Sequence, residues 1–333
     1  MSQSTPPSGG NTHAVMGLLL FITGLLIVLV GVSLRSQADD TTTQATITNS
    51  APTVNSPVNL GYASQTADTN PLTLTEGAPR TLYVFGEYTD TNSCLDVTTS
   101  GTMRLVFYRS GVSGGTACTE SKLNCLNENS SGYTSSSNVG GSCTGQSDTT
   151  ADYQFSVPMQ YYIDATDVGP YSAQDWIAYV VAVDGGGAEG TRSSSGRELN
   201  TLEALTIDAS FDFGNVTLGS TNVHETNNDL TLTNTGNDNT LDFRLSGTAM
   251  GCNGGGSIPV GNVKYVTTTY SSTIGDYTAL STSPAYARIS LTKRSIASNA
   301  PAVTSTWLGV VVPSTGVAGV CSGSLTFTAS AQE

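Results

Sequence analysis

The run Trp176-Ile177-Ala178-Tyr179-Val180-Val181-Ala182-Val183 decides the reading of this chain. In an extended strand, successive side chains point to opposite faces. Trp176, Ala178, Val180 and Ala182 then share one face, and Ile177, Tyr179, Val181 and Val183 share the other. Both faces are apolar, so the pattern predicts a strand inside a sheet, with Trp176 in the core rather than stacked on a ligand. Upstream, Thr81 to Tyr88, Thr102 to Arg109 and Asp152 to Ile163 carry similar β-branched and aromatic runs. Downstream, Leu205 to Asp208, Ser210 to Gly219, Leu230 to Asn237 and Leu241 to Leu245 alternate strand and turn signals. The chain ends in Trp307 to Val312, a Pro313-Ser314-Thr315-Gly316 turn, and Val320 to Ala329, a hairpin pattern. Trp307 is expected in the core.

Strand signals spaced about 8 to 12 residues apart, with no amphipathic helix after Leu34, define an all-β chain. The expected architecture is two immunoglobulin-like antiparallel β-sandwiches, over residues 51–200 and 201–333, preceded by one N-terminal transmembrane helix. Residues 110–150 break the strand pattern with a Gly, Ser and Asn-rich stretch that holds three cysteines. Loops of that length are normally functional or stapled.

The transmembrane expectation rests on Ala14 to Leu34, 21 residues without a charge. As a helix this run would be about 31 Å long, the thickness of a bilayer core. It follows a polar tail over residues 1–13 and precedes a Thr-rich stalk over 35–50. Ser36-Gln37-Ala38 also fits a signal-peptidase site, which would make the protein secreted after cleavage behind Ala38. Signal cores are shorter, about 7–15 residues, and follow basic residues that are missing here. The reading is therefore a signal anchor, single-pass in the cell membrane, with the C-terminal domains extracellular.

Composition agrees with that placement. The chain has 333 residues, a net charge of −14 and only 11% Asp, Glu, Lys and Arg, under half the usual share of about 25%. With 12 basic residues in all, nucleic acid is excluded as a partner, because affinity for phosphate is built from clustered cations. Six cysteines divide as four, Cys94, Cys118, Cys125 and Cys143, and two, Cys252 and Cys321. Even numbers without CxxC spacing indicate disulfides in an oxidising compartment. Cys252 with Cys321 is the pair if bonding stays within a domain, and the other four allow three connectivities.

Catalytic chemistry finds little support. His13 lies in the tail, and His224, beside Glu225, lies in an Asn-rich turn, so no Ser or Cys nucleophile has an evident base. No pair of carboxylates stands out for glycoside hydrolysis. Tyr161, Tyr162, Tyr171 and Trp176 form a local aromatic cluster that could line a sugar groove. Calcium is the candidate cofactor, since hard cations take clustered oxygens from loops. Asp90, Asn92 and Asp96 follow one strand and Asp184 ends another, so one pole could gather them. Plain turn chemistry, in which Asp and Asn cap backbone amides, is the competing account. Asn234, Asn237, Asp238 and Asp242 form a second loop of this type.

FDFGNVTLGS, LTLTNTGN and LDFRLSG resemble immunoglobulin-like modules of the ASH or choice-of-anchor type. The layout of anchor, ITNSAPTV, LTLTEG, DTNSCLD, FYRSGVSGG, MQYYIDATDVGPYSAQDWIAYVVAVD, SIPVGNVKY and final hairpin resembles a family of candidate-phyla (Patescibacteria-type) surface proteins that has no assigned activity. The resemblance implies a two-domain β protein of the cell surface. The functional expectation is a non-catalytic, membrane-tethered structural or adhesion protein of the cell envelope. Its alternatives are a carbohydrate- or calcium-binding surface module, or a self-assembling pilus or surface-layer subunit. Expected partners are the membrane, cell-surface glycans, envelope proteins or further copies of the chain.

Overall fold

A computed structural model describes residues 48–208, 210–223, 229–267, 269–294 and 303–332. The expected tail, the membrane helix over 14–34 and His224 with Glu225 lie outside the described residues, as does all of the stalk except residues 48–50. Asn49–Glu333 form one compact unit. It is all-β: the strands pair antiparallel, and the helical elements are single short turns. Among the described residues no helix is long and apolar enough to cross a membrane.

The first part of the unit holds two sheets. One joins β1 (Thr53–Val54), β2 (Asn59–Gly61), β3 (Arg80–Thr89), β6 (Thr134–Ser136) and β7 (Thr150–Met159), with β1 and β2 both on β3. Its spine is the β3–β7 ladder, in register from Arg80 opposite Met159 to Thr89 opposite Thr150. The other runs β5-β4-β8-β9, from β4 (Thr102–Arg109), β5 (Cys125–Leu126), β8 (Trp176–Val183) and β9 (Glu189–Ser193). The two-faced apolar pattern of 176–183 thus places β8 between two neighbours. Leu82, Val84, Phe155, Leu105, Phe107, Trp176 and Val180, drawn from both sheets, belong to one core. Trp176 is fully buried, stacks on Phe107 with ring centroids 5.0 Å apart, and donates its indole N–H to the Asp164 carbonyl at 3.0 Å. Buried indoles find such partners because an unpaired N–H is costly.

On the second sheet, Arg104 donates to Glu189 Oε1 at 2.5 Å, with both side chains about half exposed (43% and 50%). Exposed ion pairs contribute about 0.2–1 kcal/mol. Arg104→Ala should therefore move the melting midpoint, followed by circular dichroism, by less than about 4 °C.

The remaining strands form a second core. β10 (Leu205–Ile207), β11 (Thr221–Val223), β12 (Asp229–Asn234), β16 (Val263–Val266), β17 (Thr278–Ala279) and β19 (Val303–Val311) make one sheet centred on β19. β13 (Asp242–Gly247), β18 (Ala285–Tyr286) and β21 (Leu325–Ser330) make another, and β14 (Met250–Cys252), β15 (Ser257–Ile258) and β20 (Cys321–Ser322) a third. Leu232, Leu308 and Val310 meet Phe243 and Leu245 in the core.

Two strand expectations and one core residue are corrected here. Ser210 to Gly219 contains no strand, and Thr221–Val223 pairs with β19 instead. Asp212 Oδ1 accepts from the Gly214 N–H at 2.8 Å and Gly214 takes φ +66°, so a tight turn interrupts the alternation. The segment lines an open cleft of mixed polar and apolar character with Met250, Val320 and Phe327. The expected last strand is split into β20 and β21, which pair with different partners, β14 and β13. Trp307 is half-buried rather than central, edge-on to Tyr270 at 6.3 Å.

All six cysteines are bonded, as Cys94–Cys143, Cys118–Cys125 and Cys252–Cys321. The 110–150 stretch is stapled at both ends and adds only the short strands β5 and β6.

Candidate metal centre

Ladder register builds the acidic pole. β3 ends at Thr89, so Asp90 begins the loop beyond it, and the loop is fixed by Asp90 N–H to Thr149 O (2.7 Å), Cys94 N–H to Asp148 O (2.8 Å) and the Cys94–Cys143 bond. A single π-helical turn, Asp96–Ser100, leads into β4. Thr102 opposite Val183 sets the start of β4 against the end of β8, so Asp96 comes beside Asp184. The close approach needs Gly101, where a Cβ would stand 1.9 Å from the Val183 carbonyl oxygen.

Three of the four residues expected to gather do so. Asp90, Asp96 and Asp184 each offer a carboxylate oxygen, and these oxygens lie within 4.8 Å of one another. Asp90 and Asp184 are buried and Asp96 half-buried. Asn92 turns outward, and its Oδ1 accepts from the Ser50 N–H at 2.9 Å. Asp184 Oδ1 accepts from Ala188 N–H and Oδ2 from Asn49 Nδ2, both at 2.8 Å, while Asp96 Oδ1 accepts from Gly185 N–H at 3.1 Å.

Asp90 is the exception. Oδ1 accepts from the Asn92 N–H at 2.8 Å, but Oδ2 is buried with no hydrogen-bond partner among the described residues. Burial pushes the Asp90 carboxyl above its ordinary pKa. The Asn92 N–H opposes that shift, the Asp96 charge adds to it, and Ser93 N–H and Asp184 act more weakly in the two directions. Among the described residues, the ion pairs are formed by Arg104, Arg109 and Lys293, and none reaches this cluster. The residues that could hold a metal ion are therefore Asp90, Asp96 and Asp184.

The second Asp and Asn loop follows turn chemistry. Asn234 donates to the Asp238 and Leu291 carbonyls and accepts from Gly236 N–H. Asn237 accepts from Leu202 N–H, Asp238 from Thr240 N–H, and Asp242 from Arg288 and Ile289 N–H. Every one of these side chains is spent on backbone. The aromatic cluster is also closed: Tyr161, Tyr162 and Trp176 are buried, and Tyr171 lies under the Arg109 guanidinium at 3.6 Å. As arranged, these rings offer little face to a sugar.

Sequence reasoning missed one polar cluster. Asp164 is buried and bonded to two cations, Arg109 Nε at 3.2 Å and Lys293 Nζ at 2.6 Å. Arg109 also donates to Gln174. Burial lowers the Lys293 pKa, and Asp164 opposes that. The three residues are 55 and 129 positions apart, so no local pattern reveals them.

Comparison with protein-family models and with curated proteins finds no match to this chain.

Proposed function

We propose that the chain is a non-catalytic structural or adhesion protein of the cell envelope, tethered by its apolar run at 14–34 and displaying two immunoglobulin-like sandwiches outside the membrane. The observation that carries this reading is the closure of all six cysteines into three disulfides, four of the sulfurs belonging to buried residues. Such bonds persist where glutathione does not reduce them. In each part of the unit, side chains from two facing sets of antiparallel strands feed one core, the packing that sandwiches use. Buried Trp176 in a central strand favours the same fold. A second reading, a calcium-binding surface module, is favoured by the unpartnered Asp90 oxygen.

Intact-mass measurement of the native protein, extracted with thiols blocked, tests the conclusion. Reduction should add about 6 Da, two hydrogens for each disulfide, and residues 1–38 should be retained. Protease treatment of whole cells should remove the β domains from the outside. Six blocked thiols in the unreduced protein, or full protection in intact cells, would overturn it.

A further inference from the structure

We propose that Asp90, Asp96 and Asp184 bind a single calcium ion, which also fastens residues 49 and 50 to the pole of the first β layers. This goes beyond the envelope reading and stands apart from it, because a calcium site serves a protein in any oxidising compartment.

The geometry supplies two separate observations. Three carboxylate oxygens, two from the β3–β4 connection and one from the residue after β8, lie within 4.8 Å of one another. Calcium sits about 2.3–2.6 Å from its ligands, so oxygens sharing one ion stand no more than about 5.2 Å apart, and calcium accepts irregular carboxylate sets where magnesium demands near-octahedral geometry and keeps several waters. An all-oxygen set without His or thiolate likewise suits a hard cation. The second observation is the Asp90 side chain. It is fully buried, one oxygen has no hydrogen-bond partner among the described residues, and the charged groups acting on it are the two other carboxylates. A buried carboxylate left in that state is strongly unfavourable unless a cation or a proton compensates it. Asp242, at the start of β13 in the second core, shows the contrast, since backbone N–H groups reach both of its oxygens.

The connection to residues 49 and 50 is direct. Asn49 Nδ2 donates to Asp184 Oδ2, and the Ser50 N–H donates to Asn92 Oδ1 in the Asp90 loop. β1 then lies on β3, Thr53 opposite Thr89. Holding Asp90, Asp96 and Asp184 around one ion removes the mutual repulsion that would spread these loops. The backbone where the chain enters the unit is ordered by the same step.

The test is calorimetric titration of calcium chloride into the full chain stripped with EDTA, paired with thermal melts and amide hydrogen exchange. One ion should bind, with Kd near the range of about 10⁻⁴–10⁻³ M common for extracellular modules. At a calcium concentration a hundredfold above Kd, the midpoint should rise by about 5–10 °C. Exchange should slow in peptides covering residues 49–52, 90–100 and 184–188, and magnesium at equal concentration should do less. Asp90→Asn should abolish the calcium response and melt no lower than the unaltered chain in EDTA, because it removes the uncompensated buried charge. Asp96→Asn, at the half-buried position, should weaken binding at least tenfold without disturbing the fold. Identical melts in calcium and EDTA, an equal response to magnesium, or a calcium response surviving both substitutions would each overturn the proposal.

Discussion

Asp164→Ala is expected to lower the melting midpoint by about 6–20 °C, the range for a loss of about 3–5 kcal/mol. The substitution leaves buried Arg109 and partly buried Lys293 without their shared anion. Arginine keeps its charge in proteins, and the remaining contacts of Arg109, Gln174 and the Tyr171 ring, are neutral. Lys293 can lose its charge, since burial already lowers its pKa, so Arg109 carries the larger share of the penalty. A double-mutant cycle separates the terms. Lys293→Met alone should cost less than Asp164→Ala, because Arg109 keeps its partner. The pair of substitutions together should cost less than the sum of the two. Equal and additive losses would show that packing, and not charge, sets the effect. Lys293 follows Leu291, bridged to Leu241, while Asp164 lies between β7 and β8. The ion triad, with Gly77 N–H to Thr235 O and Leu202 N–H to Asn237 Oδ1, therefore ties the two cores into one unit.

Replacing Cys94 and Cys143 together by Ala is expected to cost about 4 kcal/mol, from the entropy of releasing a loop of about 50 residues in the unfolded chain. The two cysteines are 49 positions apart. Cys118 and Cys125 are 7 apart, and the same argument gives about 2.5 kcal/mol for that pair. In denaturant titrations of the two paired variants, the first should lose more stability than the second. An equal loss would sink the loop-entropy account and point to packing of the buried sulfurs. The Cys94 pair should also weaken calcium binding, since Cys94 fixes the loop between Asp90 and Asp96.

Local pattern made a large part of the fold legible. Thr102–Arg109 is a strand over the residues its sequence suggested, and Trp176–Val183 is interior to its sheet as its two apolar faces require. Local pattern failed where tertiary pairing overrode it. The alternation of Phe211, Phe213, Val216 and Leu218 looks extended, but the Asp212–Gly214 turn breaks it. Val320 to Ala329 reads as one strand, yet its halves join different sheets.

The polar sites divide in the same manner. That the chain is all-β, that its cysteines belong in disulfides and that acidic loops follow two strands can be read along the chain, because these depend on residue type and on a side-chain period of two. Which acids meet depends on strand register and packing. The β4–β8 register brings Asp96 to Asp184 and leaves Asn92 facing Ser50. Asp90 and Asp242 are equally buried, and only the folded backbone separates them, by placing N–H groups on both Asp242 oxygens and leaving Asp90 Oδ2 without one among the described residues. The Asp164 triad belongs wholly to the second category, since its members approach through packing of distant segments, and attraction between charges has no sequence period to betray it.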